Sequence, residues 1–212
     1  TVNGGGLYLA STSPLELTGL NGSQFLFTSN MAGSFGGAIY IINTPVTIAQ
    51  AKLDQNTAQH GGAIYQEGAA AVSELKNILV VENSSAQSFG AGIRLAGGSM
   101  TVRHATLAHN TGGAGFSSGA GVTANVYNSI IWGNSAPYGP YDADPLDCEF
   151  LYSCLNSDPV PSGAGNVNTD PLFVAALSVP MLGERLTGRQ WTGLLLGFVG
   201  AGMAVSQRGL WP

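Results

Sequence analysis

The chain has 212 residues, of which 31 are Gly, 44 % are apolar and only 9 % are charged, with a formal net charge of −5. That length fits one domain plus an appendage, and an acidic balance without basic runs argues against nucleic acid as a partner. A Gly-rich, charge-poor composition suits a solenoid whose turns need Gly and whose inside is one apolar column.

Taken in order, the chain is built from copies of one unit. Residues 1–33 form the first copy, with a longer excursion at Ser11–Gly22; residues 34–60, 61–88 and 89–113 are regular. A fifth copy runs from about residue 114 to 136 and opens with a Gly/Ser loop. Gly36-Gly37-Ala38-Ile39-Tyr40 returns as Gly61-Gly62-Ala63-Ile64-Tyr65, and Gly90-Ala91-Gly92-Ile93-Arg94 is a variant. An Asn recurs at Asn30, Asn56, Asn83, Asn110 and Asn134, at spacings of 26, 27, 27 and 24 residues. Three places before each stands an apolar residue: Phe27, Leu53, Val80, Leu107 and Ile131. After the first four Asn residues a Gly-rich turn leads to an aliphatic, Ile39, Ile64, Ile93 and Val122, while Leu7 serves the first copy. Self-similarity at a fixed period of this length signals stacked repeats.

Within a unit the apolar residues alternate with period two. Ile39 and Ile41 flank Tyr40, Val46 and Ile48 flank Thr47, and Ala51 and Leu53 flank Lys52. Three such short runs are strands. The apolar parity shifts between Ile48 and Ala51, which predicts a corner there, and Gly and Asn suit the other corners because positive φ costs them little. Three strands and three turns per period make one coil of a parallel β-helix, stacked about 4.8 Å above the last. The expected fold is all-β, a β-solenoid of about five coils over residues 1–136. The recurring Asn is expected to form an amide ladder along one corner.

From Pro137 the pattern stops, and residues 137–174 are expected as an irregular segment that closes the solenoid end. Cys148 and Cys154 lie there, six residues apart; a disulfide and a pair of reduced thiols are both open. Thr1 already falls inside a coil pattern, so no signal peptide is expected and the chain looks like a fragment or a processed product. Residues 175–212 change character. Thr192–Val205 is apolar and uncharged, slightly short of the roughly 17–25 residues of a membrane span. This apolar helical tail is read as a membrane helix, a helix packed on the solenoid, or a fusion.

Candidate chemistry follows from stacking, because equivalent outward positions form ladders. Tyr8, Tyr40, Tyr65 and Arg94 follow the inward aliphatic and would present ring faces suited to sugars; they would equally serve as cross-strand pairs that stabilise the sheet. Lys76 and Arg103 form a second patch, able to meet carboxylated sugars or to be plain surface, beside the polar column Gln24, Gln50, Asn77, His104 and Asn128. Glu82 and His109 stand one before the Asn and could act as an acid/base pair. His60, ahead of a Gly-Gly turn, is expected to be structural. Asp142, Asp144 and Asp147 are spaced to hold Ca²⁺ or simply to form turns. No other cofactor is expected.

Gly-Gly-Ala-Ile-Tyr, then a strand pair and Asn56-Thr57-Ala58, resembles the repeats of polymorphic outer-membrane proteins and related right-handed β-helix proteins of the pectate-lyase-like class. Asn128–Asn134 and Gly165–Phe173 resemble their closing segments, so the resemblance covers about residues 1–174. It implies a right-handed coil. It is poor for function, because the shared residues build scaffold. Lyases of this fold hold Ca²⁺ with acids on adjacent coils and hydrolases cluster Asp on the strands; here the coils carry Asp54 alone. The expectation is therefore a non-enzymatic secreted or cell-surface module, adhesin- or passenger-like, that binds glycan or protein. The alternative is a carbohydrate-active enzyme, a lyase or hydrolase, whole or truncated. The Leu182–Thr187 turn and the helix after it resemble a segment of the drug/metabolite transporters, and membrane contact is expected only through that tail.

Overall fold

The computed structural model describes residues 3–19, 23–87, 89–135, 143–144, 148–157 and 159–171. Residues 1–168 form one compact unit. Of the second, 169–212, only Thr169, Asp170 and Pro171 are described, so the expected helical tail at 175–212 lies outside the described residues.

Each period folds into three strands. The first coil supplies β1 (Leu7–Ala10), β2 (Leu15–Thr18) and β3 (Phe25–Thr28). The second supplies β4 (Ile39–Ile42), β5 (Val46–Asp54) and β6 (Thr57–Ala58), and the third β7 (Ile64–Glu67), β8 (Val72–Val81) and β9 (Ser84–Ser85). The fourth has β10 (Ile93–Leu95), β11 (Ser99–Arg103) and β12 (Thr106–Ala108), and the fifth β13 (Phe116–Ser118), β14 (Thr123–Tyr127) and β15 (Ile130–Trp132). A sixth set follows, β16 (Ala143–Asp144), β17 (Cys148–Leu151) and β18 (Cys154–Leu155), so part of the segment expected to be irregular continues the repeat.

All pairings are parallel and join equivalent strands of successive coils. The first wall runs β1-β4-β7-β10-β13-β16. The other two walls merge into one sheet of ten strands, because β5 and β8 each pass through a corner without losing strand geometry. That corner falls where the parity shift placed it: Gln50, Asn77, His104 and Asn128 all have φ of 50–53°. The residue before each Asn makes a second left-handed corner, with Ser29, Gln55, Glu82 and His109 at φ 55–57°.

The lumen is lined as the columns predicted. Leu53 pairs with Val80 and Val80 with Leu107, and all three are fully buried. In the fifth coil the inward residue is Phe116, which pairs with Ile93; Val122, expected there, instead lies just before β14. The Gly/Ser stretch hides a strand whose serines, Ser117 and Ser118, are buried.

The Asn column closes the third corner. Asn56 N and Nδ2 both donate to Asn83 Oδ1 at 2.9 Å, and Asn83 N and Nδ2 donate to Asn110 Oδ1 at 3.0 and 2.9 Å. Asn83 Nδ2 also reaches Leu53 O at 3.0 Å. Asn30 and Asn134 extend the same ladder at the two ends. The Gly-Gly pair has two separate causes. Gly61 has φ +61°, and a Cβ on Gly62 would sit 2.3 Å from Ala91 O in the next coil.

Two predictions follow from the corners. Asn83→Ala strips the acceptor from Asn56 and the donor from Asn110 and Leu53, and is expected to cost about 2–4 kcal/mol in urea unfolding. His104 is exposed in a left-handed corner. His104→Val is therefore expected to be less stable than His104→Gly by about 1–2 kcal/mol.

Candidate functional site

The first wall carries the aromatic column in register. Tyr8 pairs with Tyr40, Tyr40 with Tyr65, Tyr65 with Arg94, and Arg94 with Ser117. The rings touch, with centroids 5.1 Å apart for Tyr8–Tyr40 and 5.8 Å for Tyr40–Tyr65. Their faces are not open, however. A second column, Phe35, His60 and Phe89, folds over them from the turn before each Gly corner; Phe35 lies 4.5 Å from Tyr65 and 6.0 Å from Tyr40. Tyr40 and Tyr65 keep 3 % and 9 % of their surface, whereas Tyr8, at the column's end, keeps 52 %. Of the two readings of this column, the covered rings of Tyr40 and Tyr65 match cross-strand pairs that stabilise the sheet, and Tyr8 alone among the three tyrosines is exposed. The sequence carried the signal, since each covering residue directly precedes a Gly (Phe35-Gly36, His60-Gly61, Phe89-Gly90).

Burial governs the electrostatics of this layer. Tyr40 Oη donates to Glu67 Oε1, and burial followed by that carboxylate pushes the phenol well above its ordinary value. Tyr65 moves the same way, chiefly through burial. His60, stacked between Phe35 and Phe89, is lowered by burial and then by Arg94. The Arg94 guanidinium donates to Ser117 Oγ at 2.6 Å and lies 5.0 Å over the Phe89 ring. Tyr40 and Tyr65 are therefore not poised to lose a proton near neutrality.

Lys76 and Arg103 pair in register on the second wall, as expected, but a residue the sequence reading passed over holds them both. Glu74 lies 2.9 Å from Lys76 Nζ and 3.9 Å from Arg103 Nε. Arg103 also stacks 4.7 Å over Tyr127, whose hydroxyl donates to Glu149 at 3.1 Å. The patch is a surface network with its charges matched. Glu82 and His109 occupy left-handed corners, and Glu82 accepts from Gln55 Nε2 at 3.0 Å. Backbone geometry accounts for that pair.

Asp142 and Asp147 lie outside the described residues, and of Asp144 only the backbone is described, in β16 beside Ser117. No cluster of three metal-ligating side chains occurs among the described residues. Cys148 and Cys154 are not joined to each other. Cys148 pairs with Ala124 and packs on the core, its thiol donating to Ser118 Oγ at 3.2 Å, while Cys154 pairs with Ile130 on the outer face. The two stand on successive strands of the sixth set, β17 and β18.

One groove opens at the exposed end of the aromatic layer. It has a volume of about 260 Å³ and is lined by Tyr8, Ala10, Ser11, Thr12, Ile42 and Asn43. Only Tyr8 among them was singled out from the sequence. The others surround the corner after the first-wall strands, where no repeated motif marks them.

Parallel coils, a continuous apolar lumen and an amide ladder define a β-solenoid. The chain belongs to the family described as right-handed beta helix region, which matches residues 2–144. No curated protein and no solved structure matches the chain.

The buried phenols set an alkaline limit. In the unfolded chain Tyr40 ionises near its ordinary value of about 10, while in the folded chain it holds its proton to higher pH. The folded state then binds more protons above pH 10. Its stability is complete below that pH and falls as pH rises toward the folded value. Urea midpoints measured from pH 8 to 11.5 are expected to fall above pH 10, and more steeply in the native chain than in Tyr40→Phe.

Proposed function

We propose that the chain is a non-enzymatic module of a secreted or cell-surface protein, a scaffold that presents its walls to a glycan or a protein. One observation carries the reading: the described wall carboxylates are each held by a neighbouring side chain. Glu16 accepts from Thr18, Asp54 from Lys52, Glu67 from Tyr40, Glu82 from Gln55 and Glu149 from Tyr127, while Glu74 bridges two cations. Glycoside hydrolysis needs two carboxyl groups at a set separation facing a bond, and carboxylates tied into ladders suit a static surface better. The resemblance of the repeats to polymorphic outer-membrane proteins supports the same reading and a place outside the cell. Ca²⁺ at Asp142, Asp144 and Asp147 rests on their spacing alone. Membrane contact, if the 175–212 tail belongs, runs through that tail.

The full chain incubated with neutral and acidic polysaccharides, with and without Ca²⁺, tests this. No unsaturated-uronate absorbance and no new reducing ends are expected, alongside retention on a glycan or surface-protein array. Turnover of any substrate would overturn the module reading in favour of a carbohydrate-active enzyme.

A further inference from the structure

We propose that the lumen of the third coil holds one buried water molecule, clamped between the side-chain oxygen of Gln66 and the hydroxyl of Ser73. Gln66 breaks the pattern of its column. The equivalent places in the first, second and fourth coils are Leu9, Ile41 and Leu95, all buried and apolar, and Gln66 pairs in register with the last two. Ser73 breaks the neighbouring column. It pairs with Val46 and Met100, both buried, and keeps only 2 % of its own surface. Two polar side chains thus replace apolar ones in the same coil, one at each side of the corner between the first and second walls.

Half of the Gln66 amide is accounted for. Its Nε2 donates to Gly97 O and Ser99 O at 3.0 Å and lies 3.3 Å from Ala71 O. Turning the amide over would set Oε1 against those three carbonyls, so its orientation is fixed. Oε1 has no hydrogen-bond partner among the described residues, and neither has Ser73 Oγ. The carbonyls that hold the amide also place it beside Ser73. Ala71 stands two residues before Ser73, and Ser99 directly precedes Met100, the residue stacked on Ser73.

The chemistry of the place selects the occupant. A buried acceptor or hydroxyl that pairs with nothing loses its hydration without return. An apolar occupant would satisfy neither atom. A cation would need a counter-charge, and the side chains stacked on Gln66 and Ser73 (Ile41, Leu95, Val46 and Met100) carry none. Water donates to Oε1 and accepts from the Ser73 hydroxyl, and buried waters typically make roughly two to four bonds to groups that the protein leaves unpaired. Ser73 is smaller than the Val46 and Met100 on either side of it, which makes room at that level of the column.

A high-resolution crystal structure of the full chain, with urea unfolding of two variants, tests the site. Density for one water within hydrogen-bond distance of both Gln66 Oε1 and Ser73 Oγ is expected. Ser73→Ala takes one partner from the water, and its urea midpoint is expected to fall slightly. Ser73→Val fills the space and leaves Oε1 dry, so its midpoint is expected to fall further and the density to vanish. Without the water, Ser73 is an unpaired buried hydroxyl and Ser73→Ala raises the midpoint. That rise would overturn the proposal. So would a direct bond between Gln66 and Ser73, density at neither atom, or density bonded to one atom and not the other.

Discussion

Each Asn side chain in the third corner does two things at once. Its Oδ1 accepts from both the backbone N and the Nδ2 of the Asn one coil earlier, and its own Nδ2 passes the pattern on while reaching a strand carbonyl behind it. Asn56, Asn83 and Asn110 are fully buried, so any misplaced coil would leave amide groups without partners in a dry site. This makes register expensive to change. A slip of one residue would turn every lumen side chain outward, and the ladder resists that slip at each turn.

Register has a consequence on the outer surface. Equivalent positions stack, so several outward side chains find a partner in the coil above or below. Tyr40 meets Glu67, Glu82 meets Gln55, Glu74 meets Arg103, and Tyr127 meets Glu149. The interior of the solenoid surface therefore tends to satisfy itself.

The far end uses the same device with a different acceptor. In the last coils the residue after the Gln50-type corner switches from apolar to serine. Ala105 N donates to Ser129 Oγ, Ser129 N to Ser153 Oγ, and Ser153 N to Asn166 Oδ1, each at 3.1–3.2 Å. Val167 then bridges to Cys154, and Asn166 Nδ2 binds Phe150 O at 2.7 Å. An exposed strand edge invites pairing with other chains. Here the segment 161–168 lies along part of that edge and takes up its backbone groups.

How much was legible from the residues alone depended on whether a position repeats. The strands, the lumen columns, the Asn ladder and the corner at Gln50 all repeat every 24–27 residues, and period-two parity locates them without coordinates. The in-register meeting of Lys76 with Arg103, and of Tyr40 with Tyr65, was legible for the same reason. The fifth coil misled because its Gly/Ser composition masks a strand, and Phe116 rather than Val122 takes the first-wall position that pairs with Ile93.

Periodicity along one chain determines which residues share a column, because stacking is a matter of counting. It does not determine what folds over a column from the side. Only the tertiary structure decided that Phe35 and His60 cover the tyrosines and that Glu74 claims both cations. Those contacts depend on how far each corner loop reaches sideways, a distance that strand spacing does not encode.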